Sequence, residues 1–337
     1  MSSPPLLRSK AELGAARPDL PAPVVLVPTM GALHTGHRAL LRAARAAAAG
    51  GKSDAAAGGP GKSDTAAGSS GSVLVTIFVN PLQFRPGEDL DRYPRTLEAD
   101  LAMCAEEGVT AVFAPPAAEM YPGGAPEVTV DPGPIGRIVE GEFRPGVFDG
   151  VLTVVLKLFH LTRPDVAVFG QKDAQQLALV RRLVSDTDLD LVIESVPTVR
   201  DPDGLATSSR NRYLSPADRA LALTLPRALR AGQARAAAGD GQSGPGGGPG
   251  GSGAAAAVRA AALEVLRAEP ALGVDYVAVV DPHTFGPAEP GPALIVAAVT
   301  AGGTRLIDNA PVVLPPDERT GPDGRNTEKD FRGAADH

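Results

Sequence analysis

The sequence predicts an α/β fold: a parallel sheet with helices on both faces over residues 1–198, then a smaller α+β domain over 199–312. Three observations carry this reading. Apolar, β-branched runs alternate with helical patterns, the signature of βαβ units. The connections between them are short. The runs at 24–27, 73–79 and 166–169 each lead into a turn built from Gly, Pro, Asn or His, at the edge where parallel sheets bind ligands.

Taken in order, Val24-Val-Leu-Val27 is a strand apolar on both faces, as a central parallel strand must be. A helix is expected over 37–49. Residues 73–79 form the next strand, stopped at Asn80-Pro81 because proline cannot continue the ladder. Helix 96–107 leads to strand 110–114. The apolar pattern of 148–162 marks a core helix containing Phe159, with His160 at its surface or as a cap. Strand 166–169, helix 173–186 and strand 191–196 complete the sheet. In the second domain, helices at 216–231 and 254–268 precede strands at 274–280 and 293–299, and His283 falls in a turn.

Three segments read as inserts or tails. Residues 50–72 repeat Gly-Lys-Ser-Asp twice within Ala/Gly/Ser-rich sequence, which is linker composition. Gly61-Lys62-Ser63 does not complete a P-loop, since Ala56 stands at the first glycine position. Residues 232–257 form a second, Gly-rich insert, and 313–337 a polar, disordered tail.

Composition narrows the function. A chain of 337 residues with 43% hydrophobic content can bury two cores. Its net charge of −7 lacks the positive field of a nucleic-acid binder. Cys104, the single cysteine, excludes an internal disulfide and a cysteine zinc cluster, and reads as core packing. No signal peptide or membrane span is evident, so a soluble chain of a reducing compartment, the cytoplasm, is expected.

Chemistry concentrates in a few segments. Pro28-Thr-Met-Gly-Ala-Leu-His34-Thr-Gly36-His37 follows a strand and opens a helix. Two imidazoles three residues apart share a face there, and a helix N-terminus favours phosphate. Gln83 follows the strand end at Asn80-Pro81 and offers both donors and an acceptor to a hydroxy acid. Gly170-Gln-Lys172-Asp173 opens another helix, with Gln176 in its first turn and Lys172 a point charge for phosphate. Thr207-Ser-Ser209-Arg210 supplies hydroxyls and a guanidinium for triphosphate oxygens. Arg144, in a Gly/Pro loop, is expected to face the same crevice.

In combination, PTMGALHTGH, FVNPLQF, YPRT, RPGVFDGVLTVV, FGQKDAQQL and DGLATSSRNRYLS stand in the order of the pantothenate synthetase (pantoate–β-alanine ligase) family. The chain resembles that family from about Leu26 to Pro311. The resemblance implies a Rossmann-like fold of the nucleotidylyl-transferase superfamily, with the C-terminal domain as a lid. It implies ATP-dependent condensation of (R)-pantoate with β-alanine through pantoyl adenylate, giving pantothenate, AMP and pyrophosphate. Met30, Gly31, Ala32, Leu33, His34, Thr35, Gly36 and His37 would line the ATP site, with His37 as proton donor and His34 and Lys172 assisting. Gly170, Gln171, Lys172, Asp173, Val199, Thr207, Ser208, Ser209 and Arg210 would also contact ATP. Gln83 would hold pantoate and β-alanine, Gln176 pantoate, Arg144 would belong to the substrate-binding set, and Asp100 would help hold Mg²⁺. A homodimer is implied, with no nucleic-acid or membrane partner. Thr207 departs from the family's usual Met or Leu, which is expected to loosen packing against the nucleotide.

Two rivals share parts of this pattern. A nucleotidylyltransferase acting on a phosphorylated acceptor would use the same histidines but need a basic acceptor pocket, where this chain has Gln83 and Gln176. A nucleotide-sensing protein would not need His37, Lys172 and the Ser-Arg loop together.

Overall fold

The computed structural model describes residues 3–50, 71–239 and 253–316. The first part of the chain runs β1 (Leu6–Leu7), α1 (Lys10–Ala16), β2 (Val24–Thr29), α2 (Thr35–Ala48), β3 (Ser72–Ile77), α3 (Leu97–Glu106) and β4 (Ala111–Phe113). It continues with α4 (Ala117–Met120), α5 (Glu140–Phe143), α6 (Val147–Thr162), β5 (Val166–Gly170), α7 (Ala174–Asp186) and β6 (Val192–Val196). Then come α8 (Pro216–Ala222), α9 (Thr224–Ala238), α10 (Gly253–Arg267), β7 (Gly273–Val280), β8 (Gly291–Ala301) and β9 (Thr304–Leu314).

Six strands form one parallel sheet in the order β1-β4-β3-β2-β5-β6. The expected α/β fold is therefore present, with a small antiparallel sheet, β7-β8-β9, beyond it. The continuous apolar run of β2 is explained by its central position. Val24 and Leu26 pack into the layer that holds Leu13 of α1, Leu152 of α6 and Leu179 of α7. Val25 and Val27 pack on the other face with Leu41 of α2 and Cys104 of α3. Fully burying each such side chain stabilises the fold by roughly 1.5–3 kcal/mol. Cys104 is fully buried, and burial pushes its thiol up to about 12, as suits a packing residue.

A separate core joins Leu225 and Leu229 of α9 and Val258 of α10 to Ile295 of β8. Chain order in the large sheet reverses direction between β2 and β5. A crevice is thereby opened beyond their carboxyl ends, the topological switch point of such sheets.

Several bounds differ from expectation. β1 has only two residues, too few to give a periodic signal, and β9 was not foreseen. The single helix expected over 216–231 is two, α8 and α9, meeting at Leu223. Helix α9 runs on to Ala238 and α10 begins at Gly253, so the described ends of the 232–257 segment are helical, not linker. Val313 and Leu314 pair with β8 through the end of β9 and do not belong to a tail. The repeat at 51–70, the centre of the Gly-rich segment at 240–252, and 317–337 lie outside the described residues. The chain re-enters at Gly71, whose N–H donates to Ala48 O at 2.7 Å, so the first insertion point lies beside the last turn of α2.

Candidate active site

The turn after β2 is built before any ligand is needed. Thr29 Oγ1 donates to Thr76 O at 2.7 Å and accepts the Gly31 N–H at 3.1 Å. Gly31 has φ +78°, and a Cβ there would lie 3.0 Å from both Asp100 Oδ2 and Ile77 Cγ2, so glycine is required. Asp100 is buried, and its carboxylate accepts N–H groups from Ala32 at 3.0 Å and Leu33 at 2.8 Å, plus the Thr96 hydroxyl at 3.1 Å. It braces the turn from behind and does not line the cavity. The expected metal ligand thus sits outside the cavity lining, in a bracing position.

The two imidazoles cap helix α2. His34 Nδ1 accepts the Gly36 N–H at 3.2 Å, and His37 Nδ1 accepts the His34 N–H at 3.2 Å. The rings lie 4.0 Å apart between centroids. Burial, and then the Lys172 ammonium, lowers His34 to about 4. Burial, His34 and Lys172 lower His37 to about 3. Both are neutral near pH 7. Because each Nδ1 accepts, each proton resides on Nε2, and the pair offers N–H donors, not imidazolium acids.

After β3, Asn80 caps the short turn Pro81–Gln83 through Leu82 N–H. Asn80 is buried and donates to Gly150 O at 3.0 Å and to Gln83 Oε1 at 3.1 Å. Helix α6 approaches this turn so closely that a Cβ on Gly150 would overlap Leu82 O. Gln83 Nε2 faces the Met30 sulfur at 2.9 Å. Arg144 lies alongside, but its guanidinium is held by Glu88 at 2.5 and 2.9 Å and by Gln83 O at 3.1 Å. Its Nε and Nη2 groups therefore buttress Gln83, while Nη1 lies 3.5 Å from Glu140 Oε1 at the cavity wall.

The third wall is the turn after β5. Lys172 Nζ lies 3.4 Å from Asp173 Oδ1. The backbone carbonyls of Gln171 and Lys172 both accept from Asn309 Nδ2 at 2.9 Å. Strand β9 thus fixes the lysine turn, a contribution no local motif announced. The Gln171 side chain turns away to Ser195 Oγ at 3.2 Å. In the fourth segment, Arg210 forms a two-pronged pair with Asp89, both N···O distances 2.9 Å, and Ser209 Oγ lies 3.3 Å from the Tyr93 hydroxyl. The Thr207 hydroxyl donates to Asp201 at 2.7 Å, so this substitution is satisfied within the loop.

These walls enclose one cavity of about 290 Å³. Met30, His34, Gly36, His37, Gln83, Arg144, Gly170, Lys172, Asp173, Gln176, Val199, Thr207, Ser208, Ser209 and Arg210 line it together. Gly31, Ala32, Leu33, Thr35, Gln171 and Asp100 do not. Sequence reasoning missed Asn80, Tyr93, Glu140 and Asn309, which also line it. Glu140 is a buried hub, bonded to Arg305 at 2.6 and 2.8 Å and to the Tyr276 hydroxyl at 3.0 Å, which ties the small sheet to the cavity wall. These two partners lie more than a hundred residues away, beyond any spacing rule.

The donor set does not suit a resident divalent ion. No cluster of three His, Cys, Asp or Glu that could hold a metal occurs among the described residues. Of the lining carboxylates, Glu140 and Asp308 are held by Arg305 and Arg200, leaving Asp173 beside Lys172. No helix among the described residues is long and apolar enough to cross a membrane.

Comparison with known proteins agrees with this geometry. The family model described as pantoate-beta-alanine ligase matches residues 6–50 and 63–311. A pantothenate synthetase of Acidothermus cellulolyticus is 53% identical over 315 residues, covering 92% of each chain. The crystal structure of pantothenate synthetase from Thermus thermophilus superposes with a TM-score of 0.75 at 43% identity, covering 91% of this chain and 98% of that one. A pantoate-beta-alanine ligase from Francisella tularensis, complexed with beta-gamma ATP and beta-alanine, gives a TM-score of 0.67 at 29% identity, covering 91% and 97%.

Proposed function

This chain belongs to the pantoate–β-alanine ligase family, and from that premise we propose how its cavity joins the two substrates. The chain is an amide-forming ligase of pantothenate biosynthesis. A carboxylate is a poor acyl electrophile, so the amide bond requires an activated acid. In the proposed reaction, a pantoate carboxylate oxygen attacks the α-phosphorus of ATP. The bond to the bridging oxygen breaks, and pyrophosphate leaves with that electron pair. The β-alanine amine then attacks the acyl carbon of pantoyl adenylate, AMP departs, and the amine releases a proton.

One observation carries this reading: phosphate-directed and acid-directed donors line a single cavity. Lys172, Ser208, Ser209 and the Nε2–H groups of His34 and His37 offer donors for phosphate oxygens, while Gln83 and Gln176 offer amides for the acid. Fixed donors in a site shielded from water stabilise developing charge more than water can. Near pH 7, His37 would act by donating a hydrogen bond while staying neutral. Arg210 would stay paired with Asp89 or exchange it for a phosphate oxygen. A Mg²⁺ ion would arrive on the triphosphate and neutralise part of its charge.

The same reading takes residues 199–312 as the lid and includes a homodimer and a cytoplasmic location, which the family resemblance supports. Sedimentation at micromolar concentration tests the dimer. The reaction itself is tested by following products separately. Pyrophosphate release should require pantoate, and AMP release should accelerate with β-alanine. Release of ADP and phosphate would overturn the proposal.

A further inference from the structure

We propose that Tyr121, a buried residue outside the cavity lining, is a positioning residue that works with the Gly150 carbonyl and the Leu82 N–H to hold Asn80, and through it the Gln83 amide, in the orientation that meets the substrate. The inference rests on the ligase reading above and specifies the polarity of one subsite in it.

The Gly150 carbonyl can only accept, so the Asn80 atom 3.0 Å from it is Nδ2. The other end of that amide is then Oδ1, which accepts from the Tyr121 hydroxyl at 3.0 Å and, less closely, from Leu82 N–H at 3.3 Å. With Asn80 fixed this way, its second Nδ2 hydrogen points to Gln83 at 3.1 Å, and the atom there must be Oε1. The acceptor end of Gln83 is consumed. Its Nε2 remains, facing the Met30 sulfur at 2.9 Å. A thioether is a weak acceptor and yields readily to a better one. The cavity therefore presents an N–H donor at Gln83 and selects an oxygen acceptor there, carboxylate or hydroxyl, over an ammonium group. Of the two acid-end substrates, a pantoate oxygen or the β-alanine carboxylate fits this point, and the β-alanine amine does not.

Tyr121 is built for this task. It follows α4, with its ring 6.0 Å from Phe78 between centroids and Lys157 Nζ 5.3 Å from its own centroid. Its hydroxyl makes the shorter of the two bonds that pin Asn80 Oδ1. Burial pushes its ionisation up to about 12, so it keeps its proton to donate.

The test is a double-mutant cycle between Tyr121→Phe and Gln83→Ala, with steady-state kinetics and thermal melting of each variant. Tyr121→Phe should raise the KM for pantoate about fivefold to tenfold, as loss of one buried hydrogen bond does. The KM for ATP and kcat should stay within about twofold. In the Gln83→Ala background the same change should have almost no effect on pantoate. An unchanged pantoate KM in Tyr121→Phe, or an equal loss with and without Gln83, overturns the inference. Side-chain amide NMR of the wild-type protein gives a second reading that needs no variant. Pantoate should move the Gln83 Nε2 proton signals, and unmoved signals count against it. Wild-type turnover in the same assay separates the failures: without it the ligase reading falls too, and with it only the role of Tyr121 falls.

Discussion

His34 and His37 hold each other in place: the backbone N–H of the first donates to Nδ1 of the second at 3.2 Å. The first ring in turn caps Gly36 N–H at 3.2 Å. Each ring is thus fixed in one tautomer by the start of the helix it caps. Replacing His37 by alanine should leave the fold intact and slow pantoate-dependent pyrophosphate release by about 100- to 1000-fold, the usual cost of one charge-stabilising donor. Release at near the wild-type rate would show that this imidazole is only a cap.

The same pair makes stability depend on pH. Folding lowers both imidazoles from the usual 6.5, to about 4 and about 3. Between pH 6.5 and those values the unfolded chain binds more protons than the folded one. Stability from this source is complete above pH 6.5 and is lost as pH falls through the window. By pH 4 the loss for the pair is on the order of 5 kcal/mol. Melting curves of the wild type and His37→Asn between pH 7 and 4 should converge. Parallel curves would contradict the lowered values.

Asp100 separates a structural from a metal role. Asp100→Ala leaves the Ala32 and Leu33 N–H groups without their acceptor. Each buried, unpaired group costs about 1–3 kcal/mol, so the melting temperature should fall clearly, with or without Mg²⁺. An unchanged melting temperature with an increased Mg²⁺ requirement would restore the metal-ligand assignment.

Gly150→Ala tests the seat of Gln83. The added methyl would overlap Leu82 O and meet Gln83 N at 2.9 Å. Overpacking of this kind costs about 1–3 kcal/mol. The Pro81–Gln83 turn must shift, so the KM for pantoate should rise more than that for ATP. Equal effects on both substrates would point to general loosening of α6.

The large sheet was legible because its strands are short apolar runs that end in turn residues. Lys172, His34 and His37 were legible because each opens a helix directly after such a strand. Elements without a periodic signal were not. β1 is two residues long, and β9 carries Arg305, Asp308, Asn309 and Pro311 among its apolar positions. α1 could have been found from its capping box, Ser9 with Glu12, a local signal with a known mechanism. Asn309 and Glu140 act through contacts more than a hundred residues distant, set only once the two sheets meet. Asp100, expected from the family resemblance to help hold Mg²⁺, is oriented toward two backbone N–H groups of the turn, an orientation no local spacing announces.

Activation of the acid as an adenylate is the central step. Pantoate carrying ¹⁸O in its carboxylate, incubated with ATP and β-alanine, tests this directly by mass spectrometry of the nucleotide product. One carboxylate oxygen should pass into the phosphoryl group of AMP, leaving pyrophosphate unlabelled. Label in inorganic phosphate alongside unlabelled ADP would mean an acyl phosphate and would contradict it.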